Sequence, residues 1–175
     1  MQYSYFKLKK SFIKKRFNKL LKEKEENRVV CNDEVYTVGV ITSDEVAKWL
    51  KIQDDIERIL DLGNVRIYNF RPYSKKNIPS FKFFTEKDFN WKGEPKNKTF
   101  KSFIEESHDL LIGYFNKNNL YLENAVLRSN AKFKVGFANV NASLYDMEIV
   151  EIPTNIDSFL SELKKYLIVL NKLKN

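Results

Sequence analysis

The sequence predicts a single three-layer α/β domain on a mostly parallel sheet, preceded by a basic amphipathic helix. Three observations carry this expectation. Short β-branched runs alternate with helix-period runs along the chain, the pattern of helices packed on both faces of a sheet. Residues 35–70 read as strand, capped helix, glycine and strand, a βαβ unit whose crossover is right-handed and whose strands pair in parallel. Residues 6–22, FKLKKSFIKKRFNKLLK, hold eight cations and no acid, with apolar residues at helical spacing.

Each element has its own justification. In the leading helix Phe6, Ile13, Phe17, Leu20 and Leu21, with Phe12 beside them, form one face, and Lys7, Lys10, Lys14, Lys15, Lys19 and Lys22 occupy the others. Glu23, Glu25 and Glu26 follow, and the helix is expected to end near Asn27. VYTVGVIT (35–42) is a strand buried on both faces. Thr42-Ser43-Asp44-Glu45 has the form of a capping box. The helix it opens carries Val46, Trp49, Leu50, Ile56, Ile59 and Leu60, and stops at Gly63, a natural residue for the turn beyond a helix.

NVRIYNF (64–70) is the second strand. The stretch from Arg71 to Lys98 holds three of the four prolines and, in FKFF (81–84), a short strand; an antiparallel edge here is the alternative to a parallel one. TFKSFIEES (99–107) is a short helix, HDLLIGYF (108–115) a strand, LYLENAVLRSN (120–130) a helix and AKFKVGF (131–137) a strand. YDMEIVEIP (145–153) is a short strand or an extended connection. Thr154 or Asn155 caps a last helix with Phe159, Leu160, Leu163, Leu167, Val169 and Leu170 as its apolar set.

A chain of 175 residues, 43% apolar, supports one core and is too short for two ordinary domains. Residues 1–28 are expected to form the basic helix and 29–175 the α/β body of one folded unit. Cys31 is alone, so no intramolecular disulfide forms, and one Cys with one His cannot build a typical transition-metal site. No secretory signal and no apolar stretch of about 18 residues is present, which implies a cytoplasmic protein without a transmembrane segment. The net charge of +8 is unevenly placed: residues 1–28 hold ten Lys and Arg against three acids, while the other 147 residues are nearly neutral.

Ligands of doubly wound sheets lie beyond the carboxyl ends of the strands, which makes Thr42, Ser43, Asn116 and Asn139 a candidate ligand edge. The same residue types are what helix caps need. No G-x-G-x-x-G follows the first strand, no phosphate-binding G-x-x-x-x-G-K-[ST] exists, and five glycines give little material for a phosphate cradle, so no cofactor is expected. His108 stands beside Glu105, Glu106 and Asp109, but no nucleophile is poised for it, and it reads as structural. Aromatic and basic residues interleave in FKFF and AKFKVGF, a composition that can bind single strands by stacking. Strand alternation, however, separates Phe133, Val135 and Phe137 from Lys132 and Lys134, the pattern of an edge strand.

The basic leading helix, the TVGVI strand, DFNWKGEP (88–95), DLLI, AKFKVGF and YDMEI together resemble a small bacterial family of unknown function. That resemblance covers most of the chain and implies the fold without an activity. Residues 109–137, a strand, loop, helix and basic strand ending in VGF, are similar to a half-domain of heptosyltransferase-type glycosyltransferases. This implies a Rossmann-like core; those enzymes need a second, nucleotide-sugar domain, so transferase activity is not expected.

The expected function is non-catalytic binding. Lys7, Lys9, Lys10, Lys14, Lys15, Arg16, Lys19 and Lys22 would contact an anionic surface, RNA or a ribonucleoprotein first among them. The alternatives are an anionic membrane or a protein partner met by the same helix, and a degenerate Rossmann-like small-molecule or transferase-related domain.

Overall fold

The computed structural model of the chain describes residues 2–27, 31–48, 50–76 and 82–174. Trp49 and Phe81, assigned above to a helix and a strand, lie outside them. The basic helix α1 (Gln2–Glu26) precedes strand β1 (Thr37–Ser43), helices α2 (Asp44–Ala47) and α3 (Ile52–Leu60), and strands β2 (Asn64–Phe70) and β3 (Phe83–Phe84). Helix α4 (Lys98–Glu105), β4 (Leu110–Tyr114), α5 (Leu120–Arg128), β5 (Phe133–Phe137), β6 (Met147–Ile149) and α6 (Ile156–Val169) complete the chain. Two 3-10 turns, Glu86–Asp88 and Ala142–Leu144, lie between them.

The six strands form one sheet in the order β3-β2-β1-β4-β5-β6, and every pair is parallel. The chain enters at β1, builds outward to β3, returns to β4 beside β1, and builds outward the other way. This is the strand order of a Rossmann-like sheet, with its topological switch between β1 and β4. Among the described residues the Pro-rich middle adds no antiparallel edge strand: Phe70 and Phe84 are in parallel register. Helices α3 and α6 pack together on one face; α1, α4 and α5 cover the other.

The predicted helix after β1 is two helices. Around a continuous helix Leu50 and Ile52 would point about 160° apart. Breaking it lets Val46 and Leu50 pack on the core while Ile52, Ile56 and Leu60 are buried one turn apart. The cap is Ser43, whose Oγ accepts from Val46 N, rather than Thr42. The left-handed residue is Asp61 (φ 59°), not Gly63; aspartate tolerates that conformation. Asn155 begins α6 without a side-chain cap bond.

Strand β5 lies inside the sheet, not at its edge, and all five of its residues are buried. A parallel sheet is covered on both faces, so the side opposite Val135 also meets a helix. Lys134 fills it and donates Nζ to Val126 O and Ser129 O, both at 2.8 Å, at the end of α5. Cations suit that end of a helix dipole. Next to it the Tyr145 side chain lies on the register-paired Gly113 and Gly136, where a Cβ would come within 2.3 Å of its hydroxyl oxygen and 2.2 Å of its ring respectively.

The amino edge of the sheet is fastened by Asp109. Its Oδ2 accepts from Tyr36 N (3.1 Å), Thr37 N (3.0 Å) and Thr37 Oγ1 (2.9 Å), while Lys132 Nζ stands 2.9 Å from Oδ1. Burial opposes ionisation of Asp109, but Lys132, Thr37 and the two amides together outweigh it and hold the carboxyl below its ordinary range.

Candidate functional site

Helix α1 is part of the fold. Ile13 and Phe17 are buried in the common core, Leu20 and Leu21 pack against it, and the helix rests on α5 and the Ala142–Leu144 turn. Its C-terminal turn is tied down where Lys24 Nζ donates to Leu127 O, and burial lowers the pKa of that ammonium. Lys24 and Lys134 thus both serve the last carbonyls of α5. Phe12 does not join the apolar face; it is solvent-exposed.

Among the predicted anion contacts, Lys7, Lys10, Lys14, Lys15, Arg16, Lys19 and Lys22 are exposed. Only Lys19 of these seven is ion-paired among the described residues, to Glu23 at 3.7 Å. Lys9 is a correction. It is 6% exposed and donates Nζ to Glu86 O at 3.2 Å. Burial, with Lys96 nearby, lowers its pKa; it is a packing residue.

Lys7, Lys10 and Lys14, at i, i+3 and i+7, form a strip on one flank of α1. They overlook a groove of about 880 Å³ running from α1 to the carboxyl edge of the sheet, lined also by Asn118, Asn119 and Tyr121 at the start of α5. Two acids border it, Glu86 and Glu123. Burial raises the pKa of Glu123, against the pull of the Asn119 amide and Lys14.

A second hollow of about 500 Å³ occupies the switch point between β1 and β4 and shares Asn118 and Asn119 with the groove. Ser43 and Asn116 line it, with Phe115, Leu122 and Thr154, and the Lys117–Glu45 ion pair (3.1 Å) bridges it. Thr42 does not reach it: the residue is fully buried and Oγ1 donates to Tyr114 O at 2.8 Å. Asn139 is exposed beyond β5, apart from the lining of either hollow. The cap function expected of such residues is real at three positions of this edge. Asn119 Oδ1 accepts from the amides of Tyr121 and Leu122, Ser43 Oγ from that of Val46, and Asn141 Oδ1 from that of Ser143.

His108 is 1% exposed, packed on Phe103 and against Gly39, with Nδ1 3.9 Å from Glu106 Oε1. Burial lowers its pKa, outweighing Glu106. It is a neutral core histidine at pH 7. The aromatic residues interleaved with lysine are likewise internal: Phe84, Phe133 and Phe137 are buried, and Phe83 lies under the Arg71 guanidinium at 3.9 Å.

What sequence reasoning missed is the groove, since its two sides come from segments a hundred residues apart. The burial of Lys9 did carry a signal: it precedes Ile13 by one turn and so shares its face. No helix among the described residues is long and apolar enough to cross a membrane. Comparison with curated proteins and with solved structures finds no match. A family model does match, over residues 9–170, from the basic helix through α6. The chain belongs to that family, DUF6913, a family of unknown function.

Proposed function

We propose that this protein is a non-catalytic binding module that associates with RNA or a ribonucleoprotein through the exposed cations of α1. The observation that carries the reading is a division of labour on one helix. The apolar face is spent on the core, while seven cations stay in solvent, six of them without an ion pair among the described residues. A cationic helix held rigidly on a domain presents its charges at fixed spacing, which suits a regularly charged phosphate chain. A membrane has less support, because Ile13 and Phe17 are occupied in the core, which leaves Leu8 and Phe12 as the large apolar groups of α1 in solvent among its described side chains.

The test is co-sedimentation of the tagged protein with ribosomes and with membranes at low and high salt. It is paired with a variant in which Lys7, Lys10, Lys14, Lys15, Arg16 and Lys19 become Gln; Lys9 is left intact. Recovery in the ribosomal fraction should be salt-sensitive, lost after ribonuclease treatment and lost in the variant. Recovery with membranes alone, or an entirely soluble protein, would overturn the proposal.

A further inference from the structure

We infer that the flank of α1 away from the groove is a seat for unpaired bases, so that the RNA bound is single-stranded; this rests on the association with RNA proposed above. Phe12 is 57% and Trp91 39% exposed, and their rings meet edge to face with centroids 5.7 Å apart. Leu8, one turn before Phe12, is 55% exposed. Large apolar groups gathered in solvent mark a contact surface rather than a packing remainder. Lys15, Arg16 and Lys19 stand three, four and seven residues beyond Phe12, on its side of the helix, and all three are exposed.

The support under Trp91 is stiff. Asn90 Oδ1 accepts from the amides of Lys92 (2.8 Å) and Glu94 (3.0 Å), and Asn90 N donates to Glu94 O at 2.9 Å. Gly93 takes a positive φ of 74°, its carbonyl accepts from Asn124 Nδ2 at 2.7 Å, and the Lys92 carbonyl accepts from an Arg128 nitrogen at 2.7 Å. The loop is thereby fastened to α5, and the indole is presented with little ordering left to do. Glu94 is close, its carboxylate accepting from Asn90 Nδ2 at 2.8 Å.

Aromatic rings beside cations match a single strand, where bases stack on rings and phosphates meet Lys and Arg. A duplex keeps its bases stacked inside and offers the rings nothing. Phe12 and Trp91 therefore add binding to a single strand and none to a duplex.

The experiment measures fluorescence anisotropy of a labelled 12-nucleotide oligouridylate and of a 12-base-pair RNA duplex across a salt series. The proteins are the wild type, Phe12→Ala with Trp91→Leu, Trp91→Phe, and Lys15, Arg16 and Lys19→Gln. The aromatic double variant should lose about ten-fold or more in affinity for the single strand, with an unchanged salt slope and unchanged duplex binding. Trp91→Phe, which keeps a ring, should retain most of it. Wild-type affinity of the double variant for the oligouridylate, or a preference for duplex, would overturn the inference while leaving charge-driven binding intact. Failure of the wild type to bind either RNA, or indifference to the Gln variant, would instead sink the association itself. If the double variant does not fold, Phe12→Ala alone, on the helix surface, supplies the same comparison.

Discussion

Replacing Asp109 by Ala tests whether the amino edge of the sheet is held as described. The carboxylate is the shared acceptor for Tyr36 N, Thr37 N and Thr37 Oγ1, so the change releases three donors at once. Tyr36 is exposed and water can serve its amide; the two Thr37 donors are half-buried and are served poorly. Bonds to a charged acceptor contribute about 1.5–3 kcal/mol each in protected sites and less near solvent, so a loss of about 2–4 kcal/mol is expected. For a domain of this size that lowers Tm by about 5–15 °C. Asp109→Asn, which keeps one acceptor oxygen, should lose about half as much. The sign with pH follows from the depressed carboxyl: its stabilisation is complete above the ordinary value of 3.8 and is lost as pH falls through the lower folded value. Wild type and Asp109→Asn should therefore converge in acid. Thermal denaturation followed by circular dichroism at pH 7 and in acid measures both effects. A Tm for Asp109→Ala close to that of the wild type at pH 7 would refute the account of this edge.

Three further outcomes are expected. Changing Lys15, Arg16 and Lys19 to Gln should reduce the slope of log affinity for single-stranded RNA against log salt by about 2, at about 0.7 per cation; an unaltered slope would move the contact off the Phe12 flank. His108 has a pKa lowered from 6.5 by burial, so the unfolded chain takes the proton first and stability falls as pH drops below 6.5. NMR titration of this single imidazole should give a midpoint below 6.5, and urea denaturation should show a shallower decline in His108→Gln over that range. Gly136→Ala places a Cβ 2.2 Å from the Tyr145 ring and should destabilise by about 2–3 kcal/mol; most of that penalty should vanish in a Tyr145→Ala background, and additive losses would show that the ring is not the obstacle.

The fold was largely legible because parallel strands buried on both faces leave β-branched runs such as VYTVGVIT that no amphipathic helix mimics. What misled was alternation in β5. AKFKVGF has the period of a strand with one wet face, yet Lys134 is buried, because lysine can satisfy three acceptors and α5 supplies two carbonyls. The break between α2 and α3 was written in the phase of Leu50 and Ile52, which no single helix can bury together. Of the candidate site, the cations could be read from spacing, but their partners could not. That Lys7, Lys10 and Lys14 face Asn118 and Asn119 depends on how α1 lies on α5, and periodicity reports which face of a helix is apolar without saying what covers it.

The docking of α1 on α5 also sets a delay during synthesis. Lys24 and Leu127 are 103 residues apart, so at about 5–20 residues per second the ribosome needs roughly 5–20 s after making the basic helix to make its support. Through that interval Ile13 and Phe17 have no core to enter, and the nascent chain carries a cationic, half-apolar helix into the crowded space outside the exit tunnel. For those seconds α1 has solvent where α5 will later lie.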